Sequence, residues 1–193
     1  MTGRSFSLIP FPAPDIPEIA ITGTVACQSN VLTLQYALVG NIKTIFLPPP
    51  SENPARKAEL WKTTCFEFFL AIQDQPQYWE FNLSPSGDWN VYHMDAYRRI
   101  GFREETSIQQ IRLKGKEEAG TFTLDAEVDL TSIVRADQRL EVGVTAVIRT
   151  KDGRETYWAL IHPAPQADFH RRESFILALA GQTHPSPQSA QES

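Results

Sequence analysis

The chain has 193 residues, of which 41% are hydrophobic and 21% charged, and its formal net charge is -5. This length suits one globular domain, and the acidic balance lacks the basic surface that binding to nucleic acid or an anionic membrane requires. No segment approaches the roughly 18 consecutive apolar residues of a membrane-spanning helix, and residues 1–7 lack the apolar stretch of a secretory signal. We therefore expect a cytoplasmic protein that binds neither nucleic acid nor membrane.

The two ends of the chain differ in composition from its middle. Prolines at positions 10, 12 and 14 prevent a helix, which predicts an extended N-terminal arm over residues 1–17, with regular structure beginning near Glu18. Residues 18–180 form the predicted domain, and residues 181–193 form a polar tail that we expect to be disordered. Cys27 and Cys65 lie in separate strand-like segments, which predicts two buried thiols rather than a disulfide or a metal site.

Apolar and polar residues alternate through most of residues 18–180, as they do in half-buried strands. The alternating segments are 19–25, 32–38, 64–72, 78–83, 89–94, 121–130, 140–148, 156–160 and 175–179. Asp152-Gly153, between two of them, is a strong hairpin signal. About nine or ten strands, with at most one or two short helical turns, predict an all-β antiparallel sandwich of the immunoglobulin-like or jelly-roll kind.

Several polar side chains occupy the second face of the central strands. Glu67 alternates against a phenylalanine-rich set, and Glu80 and Asn82 alternate against Trp79 and Phe81. Only one face of each sheet in a sandwich packs against the other sheet. We therefore expect Glu67, Glu80 and Asn82 on an outer, solvated face.

Several blocks of the sequence resemble a known family. They are Leu60-Trp61-Lys62-Thr63-Thr64-Cys65-Phe66-Glu67-Phe68-Phe69, residues 78–89, Tyr97-Arg98-Arg99, Trp158-Ala159-Leu160, Asp168-Phe169-His170 and Glu173-Ser174-Phe175. They resemble the DOMON-like proteins related to family 9 carbohydrate-binding modules, over about residues 18–179. The resemblance implies a sandwich whose relatives bind sugars or haem on or near one sheet, and it implies no catalysis. A shared fold does not by itself determine the ligand.

A sugar site needs exposed aromatic rings to stack on the sugar, with carboxylates and amides beside them to bind its hydroxyl groups. The residues that we predict to bind the ligand are Trp61, Glu67, Glu80, Asn82, Trp89, His93, Asp168 and His170. Trp89 is equally compatible with a core position, whereas Trp79 and Trp158 lie in the apolar phase and are predicted to be core residues. His93 alternates in phase with Trp89. Asp168 and His170 lie in a proline-stiffened loop, where capping turns is an alternative role.

Two cofactors stay open without being favoured. Haem would need an axial pair such as Met94 with His162 or His170, because the adjacent His93 points away from Met94. A structural calcium ion would need loop oxygens, and the turn over residues 84–88 holds only one carboxylate. We therefore predict no cofactor and assign no metal ligand.

An enzyme is the remaining alternative. Glu67 with Glu80, or Asp125 with Glu127, could act as general acid and base, but the second pair is more simply part of a solvated strand face. The sequence contains no serine-elbow, phosphate-loop, dinucleotide or zinc-protease motif. We predict a non-catalytic module for a small polar ligand such as a saccharide. Haem binding and a structural or protein-interaction role are the alternatives, and the oligomeric state is undetermined.

Overall fold

The fold is all-β and antiparallel. The structure, a computed structural model, describes residues 3–98 and 101–181. Its strands are β1 Arg4–Pro10, β2 Ile19–Gln28, β3 Val31–Gly40, β4 Cys65–Ile72, β5 Tyr78–Leu83, β6 Trp89–Met94, β7 Arg103–Glu104, β8 Arg112–Glu118, β9 Thr121–Asp129, β10 Leu140–Arg149, β11 Glu155–Ala159 and β12 Leu177–Leu179. Three short 3-10 turns cover Ile42–Thr44, Leu60–Lys62 and Arg172–Ser174. The predicted fold class is confirmed.

Two sheets form the layers of the sandwich. The first sheet has the strand order β1-β2-β3-β9-β8, and the second has the order β7-β6-β5-β4-β10-β11-β1. Strand β12 pairs with the N-terminal half of β10. Since the faces that meet are apolar, the strands bury one continuous core between the sheets.

Strand β1 connects the two sheets. Ser5 to Leu8 pair with β2, and Ile9 and Pro10 pair with β11. The prediction that regular structure begins near Glu18 is therefore wrong, because Pro10 is the last residue of β1 and prolines 12 and 14 follow the strand rather than interrupt it. The predicted polar tail lies almost wholly outside the described residues.

Hairpin turns position the strands in register. Ser29 and Asn30, between β2 and β3, both have left-handed backbone angles, as a two-residue hairpin turn requires.

Cys27 and Cys65 are free thiols, as predicted, with Cys65 buried and Cys27 half-buried. No helix in the described part of the chain is long and apolar enough to cross a membrane.

Gly23 allows an aromatic pair to pack across the first sheet. In the ladder it lies between Phe6 and Tyr36, whose rings meet edge to face with centroids 5.5 Å apart. A Cβ atom at position 23 would lie 1.9 Å from the carbonyl oxygen of Gln35 and 2.4 Å from the ring of Phe6. Only glycine therefore fits at this position without displacing backbone.

We expect Gly23→Ala to lower the free energy of unfolding by about 3 kcal/mol, because the new methyl group forces the strand or the Phe6 ring to move. Urea denaturation measures the effect. Gly3→Ala is the matched control, since its Cβ would meet only ordinary contacts at 3.7 and 3.8 Å. Equal losses in the two variants would contradict the close-packing argument.

Candidate functional site

The outer face of the second sheet carries a cavity. It has a volume of about 450 Å³, within the range of roughly 300–1,000 Å³ that is usual for small-molecule sites. Its lining residues are Trp61, Glu67, Phe69, Glu80, Arg98, Phe102, Val147, Tyr157, Ala167, Phe169 and His170. The sheet supplies the floor, and three loops supply the walls. We call this site the outer cavity.

Strand register explains why the floor residues converge. Glu67 is paired with Asn82 and Thr145, and Phe69 is paired with Glu80, so these side chains share one face of β4, β5 and β10. The walls come from the turn at Trp61, the segment after β6 and the loop before β12. These loops cover a face that would otherwise be open to solvent.

Glu67 lies at the floor of the cavity and is only 3% exposed. Its Oε2 accepts a hydrogen bond from the Thr145 hydroxyl at 3.3 Å, and no described residue donates to its Oε1. Burial, followed by the charge of Glu80, raises the pKa of Glu67 well above its ordinary value. Its carboxyl is thus a buried group with one oxygen available to a ligand.

Glu80 is 8% exposed and lies beside Glu67 on the next strand. Asn82 donates to its Oε1 at 2.8 Å. Burial raises the pKa of Glu80 to about 7, although the bond from Asn82 and the charge of Arg98 oppose the shift. Asn82 is itself fully buried and does not line the cavity, so its role is to orient Glu80.

His170 connects the loop before β12 to the floor. Its Nδ1 is 3.0 Å from the Tyr78 hydroxyl, and its Nε2 is 3.8 Å from Glu80 Oε2. Burial, and then the charge of Arg98, lowers the pKa of His170 to about 4. The ring is therefore neutral at neutral pH and provides no counter-ion for Glu80.

Asp168 holds the wall of the cavity. It accepts hydrogen bonds from Arg98 at 2.9 Å, from the backbone N–H of His170 at 3.1 Å and from the Tyr97 hydroxyl. These contacts join the loop before β12 to the segment after β6. The alternative that Asp168 stabilises the loop therefore describes its observed contacts, and the side chain does not line the cavity.

Trp61, Glu67, Glu80 and His170 are the sequence-predicted ligand residues that meet in the outer cavity. The prediction that the polar face is solvated is wrong, because loops cover it and Glu67, Glu80 and Asn82 are all buried. The sequence interpretation did not select Phe69, Arg98, Phe102, Val147, Tyr157, Ala167 or Phe169 for this site. Alternation places Phe69, Val147 and Tyr157 on the same face, so a strict phase count along β4, β10 and β11 finds these three.

Trp89 and His93 lie on the opposite side of the sheet. Trp89 is paired with Leu83, and His93 is paired with Trp79, so both share the core-facing side of β5. They therefore do not share a face with Glu67 and Asn82, together with which we predicted them to bind the ligand. Trp79 and Trp158 are buried, as predicted, and Arg56 stacks on the Trp89 ring at 4.4 Å.

The described residues do not fit haem or calcium. Met94 is fully buried among aromatic side chains, and His162 Nε2 is 3.0 Å from the Ile9 carbonyl oxygen. The Asp88 carboxylate of the turn over residues 84–88 contacts Lys57 and Ser86. Within residues 3–98 and 101–181, no group of three His, Cys, Asp or Glu side chains could hold a metal ion.

The comparisons with known proteins place the fold. No family model and no curated protein matches the chain. A Bacteroides uniformis protein described as carbohydrate-binding has a TM-score of 0.63 at 11% identity, covering 92% of this chain and 85% of its own. A family 9 carbohydrate-binding module from Caldicellulosiruptor kristjanssonii, in complex with cellotriose, has a TM-score of 0.57 at 12% identity, with 90% and 82% covered.

A second structure described as a family 9 module of that organism, in complex with glucose, has a TM-score of 0.52 at 10% identity, with 91% and 83% covered. The chain thus has a fold similar to that of carbohydrate-binding modules. At these identities the likeness shows the fold alone.

Trp89→Ala tests the placement of Trp89. Because the ring is 6% exposed and packs in the core, we expect the variant to lose about 3–5 kcal/mol of unfolding free energy. Urea denaturation measures the loss, and Phe46→Ala, at a 41% exposed ring, should lose clearly less. A nearly neutral Trp89→Ala would contradict the core position.

Glu80→Gln tests the buried carboxyl. Because folding raises the pKa of Glu80 from 4.5 to about 7, the folded chain holds a proton that the unfolded chain releases, so this group lowers stability as pH rises between those values. The stability of Glu80→Gln relative to wild type should therefore grow by roughly 3 kcal/mol from pH 4.5 to pH 7.

Urea denaturation at both pH values measures that difference. The depressed pKa of His170 acts in the opposite direction, and to a first approximation it cancels because both proteins contain it. Glu117→Gln, at an exposed position on β8 of the first sheet, is the matched control. If the difference in stability between Glu80→Gln and wild type does not change with pH, burial does not raise the pKa of Glu80.

Proposed function

We propose that this chain is a non-catalytic module, related to DOMON-like and family 9 carbohydrate-binding proteins, that binds a saccharide in the outer cavity. The observation that carries the proposal is the combination of aromatic walls with a polar floor. Trp61, Phe102, Tyr157 and Phe169 line the same cavity as the two carboxyls of Glu67 and Glu80. Rings of this kind stack on the apolar faces of a sugar, while carboxyl oxygens accept its hydroxyl hydrogen bonds.

The architecture supports this proposal. Proteins of similar fold include modules in complex with glucose and with cellotriose, so the fold is compatible with sugar binding. In this chain the aromatic rings are held by their neighbours, with Trp61 5.7 Å from Tyr92 and Tyr157 6.1 Å from Phe169 between ring centroids. Rigid rings lose little conformational freedom when a ligand binds.

The absence of catalysis and the cytoplasmic location stay predictions from the sequence. Glu67 and Glu80 are accounted for as ligand-binding groups, and Asp125 and Glu127 project from the far face of the first sheet, where Glu127 pairs with Arg112. A structural or protein-interaction role is the competing function, and ligand screening distinguishes the two.

Thermal-shift screening with glucose, cellotriose and a wider saccharide panel is the first test. A saccharide with a Kd of about 1 mM, present at about 10 mM, stabilises the folded state by about 1.4 kcal/mol, which raises the Tm by roughly 3–5 °C. If no saccharide in the panel shifts the Tm, the protein-interaction alternative replaces this proposal.

Trp61→Ala locates the binding site. For a saccharide found in the screen, we expect the variant to weaken the Kd about tenfold or more, because the wall loses its stacking ring. Isothermal titration calorimetry measures the Kd, and Phe46→Ala, which removes an exposed ring that does not line the cavity, should keep the wild-type value. Unchanged binding by Trp61→Ala would place the site elsewhere.

A further inference from the structure

Two buried carboxyls, those of Glu67 and Glu80, lie on neighbouring strands at the floor of the outer cavity. Among the described residues, no lysine or arginine lies within ion-pair distance of Glu67 or Glu80, and the nearest cationisable group is His170 at 3.8 Å from Glu80. Burying a carboxylate without a counter-ion is costly, and a pair of them costs more. The protein nevertheless keeps both groups where a ligand can reach them.

The nearby positive charges are already engaged elsewhere. Arg98 lines the cavity, but its guanidinium pairs with Asp168 at 2.9 Å. Arg171 lies 3.5 Å from the same carboxylate and stacks on the Tyr97 ring. His170 is held neutral by burial. Among the described residues, the charge of Arg98 acts on Glu80 from a distance, but no lysine or arginine pairs directly with either floor carboxyl.

The walls are suited to a cation as well. Aromatic faces attract ammonium groups through the ring quadrupole, and the attraction is strongest where water is excluded. Trp61, Phe102, Tyr157 and Phe169 line the same cavity as Glu67 and Glu80. Aromatic rings and two carboxyls that line one cavity are the combination expected for an organic amine.

Protonation lets the fold tolerate the buried pair. Burial raises the pKa of Glu67 well above its ordinary value and the pKa of Glu80 to about 7, so burial favours the protonated form of both groups. A bound ammonium group carries one positive charge, so it would replace one proton as the neutralising charge, and the carboxyl pair would release that proton to the solvent. A neutral ligand supplies no such replacement charge.

We propose that the outer cavity selects saccharides that carry a protonated amino group, with the ammonium at Glu67 and Glu80 and the sugar ring against the aromatic walls. This selectivity rests on the saccharide-binding function proposed above. It adds a ligand class, the amino sugars, to that function.

The test compares ligands of one ring shape. At pH 7, isothermal titration calorimetry measures the Kd values of glucosamine, glucose and N-acetylglucosamine for the full chain. We expect glucosamine to bind about tenfold or more tightly than both neutral sugars, because only its ammonium group pairs with the two carboxyls. Titrations in two buffers of different ionisation enthalpy should show proton release for glucosamine and none for glucose.

A double variant and a control test whether the floor carboxyls cause the preference for glucosamine. The double variant, Glu67→Gln combined with Glu80→Gln, keeps the side-chain shapes and removes the charges, so the ratio of the glucose Kd to the glucosamine Kd should fall to near unity. Glu127→Gln, on the first sheet, should keep the wild-type preference. If the double variant does not fold, the proton-release measurement on the wild type decides the question alone.

The outcomes distinguish a failure of the amino-sugar selectivity from a failure of saccharide binding. Equal binding of glucosamine and glucose overturns the amino-sugar selectivity and leaves saccharide binding intact. If neither sugar binds, the proposed saccharide-binding function is overturned as well. Ethanolamine carries an ammonium group without a sugar ring, so its binding as tightly as glucosamine would overturn the saccharide assignment.

Discussion

The buried hydroxyl of Tyr36 joins the two sheets directly beneath the site. The Tyr36 hydroxyl, on the first sheet, donates at 2.5 Å to the backbone carbonyl of Glu67 on the second. Tyr36 is fully buried, with its ring 4.8 Å from Phe66 and 5.5 Å from Phe6. Because the backbone of Glu67 is held from the core side, its side chain projects outward into the cavity. This contact fixes the backbone of Glu67 relative to the first sheet, and with it the position of the cavity floor.

The outer face of the second sheet differs from an ordinary solvated face. Phe175 packs over Gly143, where a Cβ would lie 2.7 Å from the ring, and it joins Phe69, Tyr78 and Met94 in a small second core. Beside that core, the same loops enclose the cavity. The sheet therefore buries apolar groups on both faces, and its polar groups become a desolvated floor in which each charge has a large effect on pKa.

Alternation identified most of the fold, and it failed where a strand is not amphipathic. Strand β8 is almost wholly exposed at the edge of the first sheet, so its residues show no apolar face to detect. Strand β7 has only two residues, both exposed. Strand β1 was taken for an extended arm because prolines follow it, although it pairs with both sheets. In each case the ladder depends on neighbouring strands rather than on the segment's own pattern.

The site was predictable only in part, for a related reason. The sequence by itself determined that Glu67, Glu80 and Asn82 lie opposite the core, since a strand alternates its side chains between two faces. Only the tertiary structure decided that Trp89 and His93 lie on the core side, because the register of β5 and β6 follows from the turn in which Ser84 donates to the Asp88 carbonyl.

Only the tertiary structure also decided that the polar face is covered. The loops bring Trp61, Arg98, Phe169 and His170 together from distant parts of the chain. Side-chain alternation is a local property, whereas enclosure of a cavity results from contacts between segments that are far apart in sequence. Alternation can therefore be identified from a single sequence, whereas the enclosure of the cavity is visible only in the folded chain.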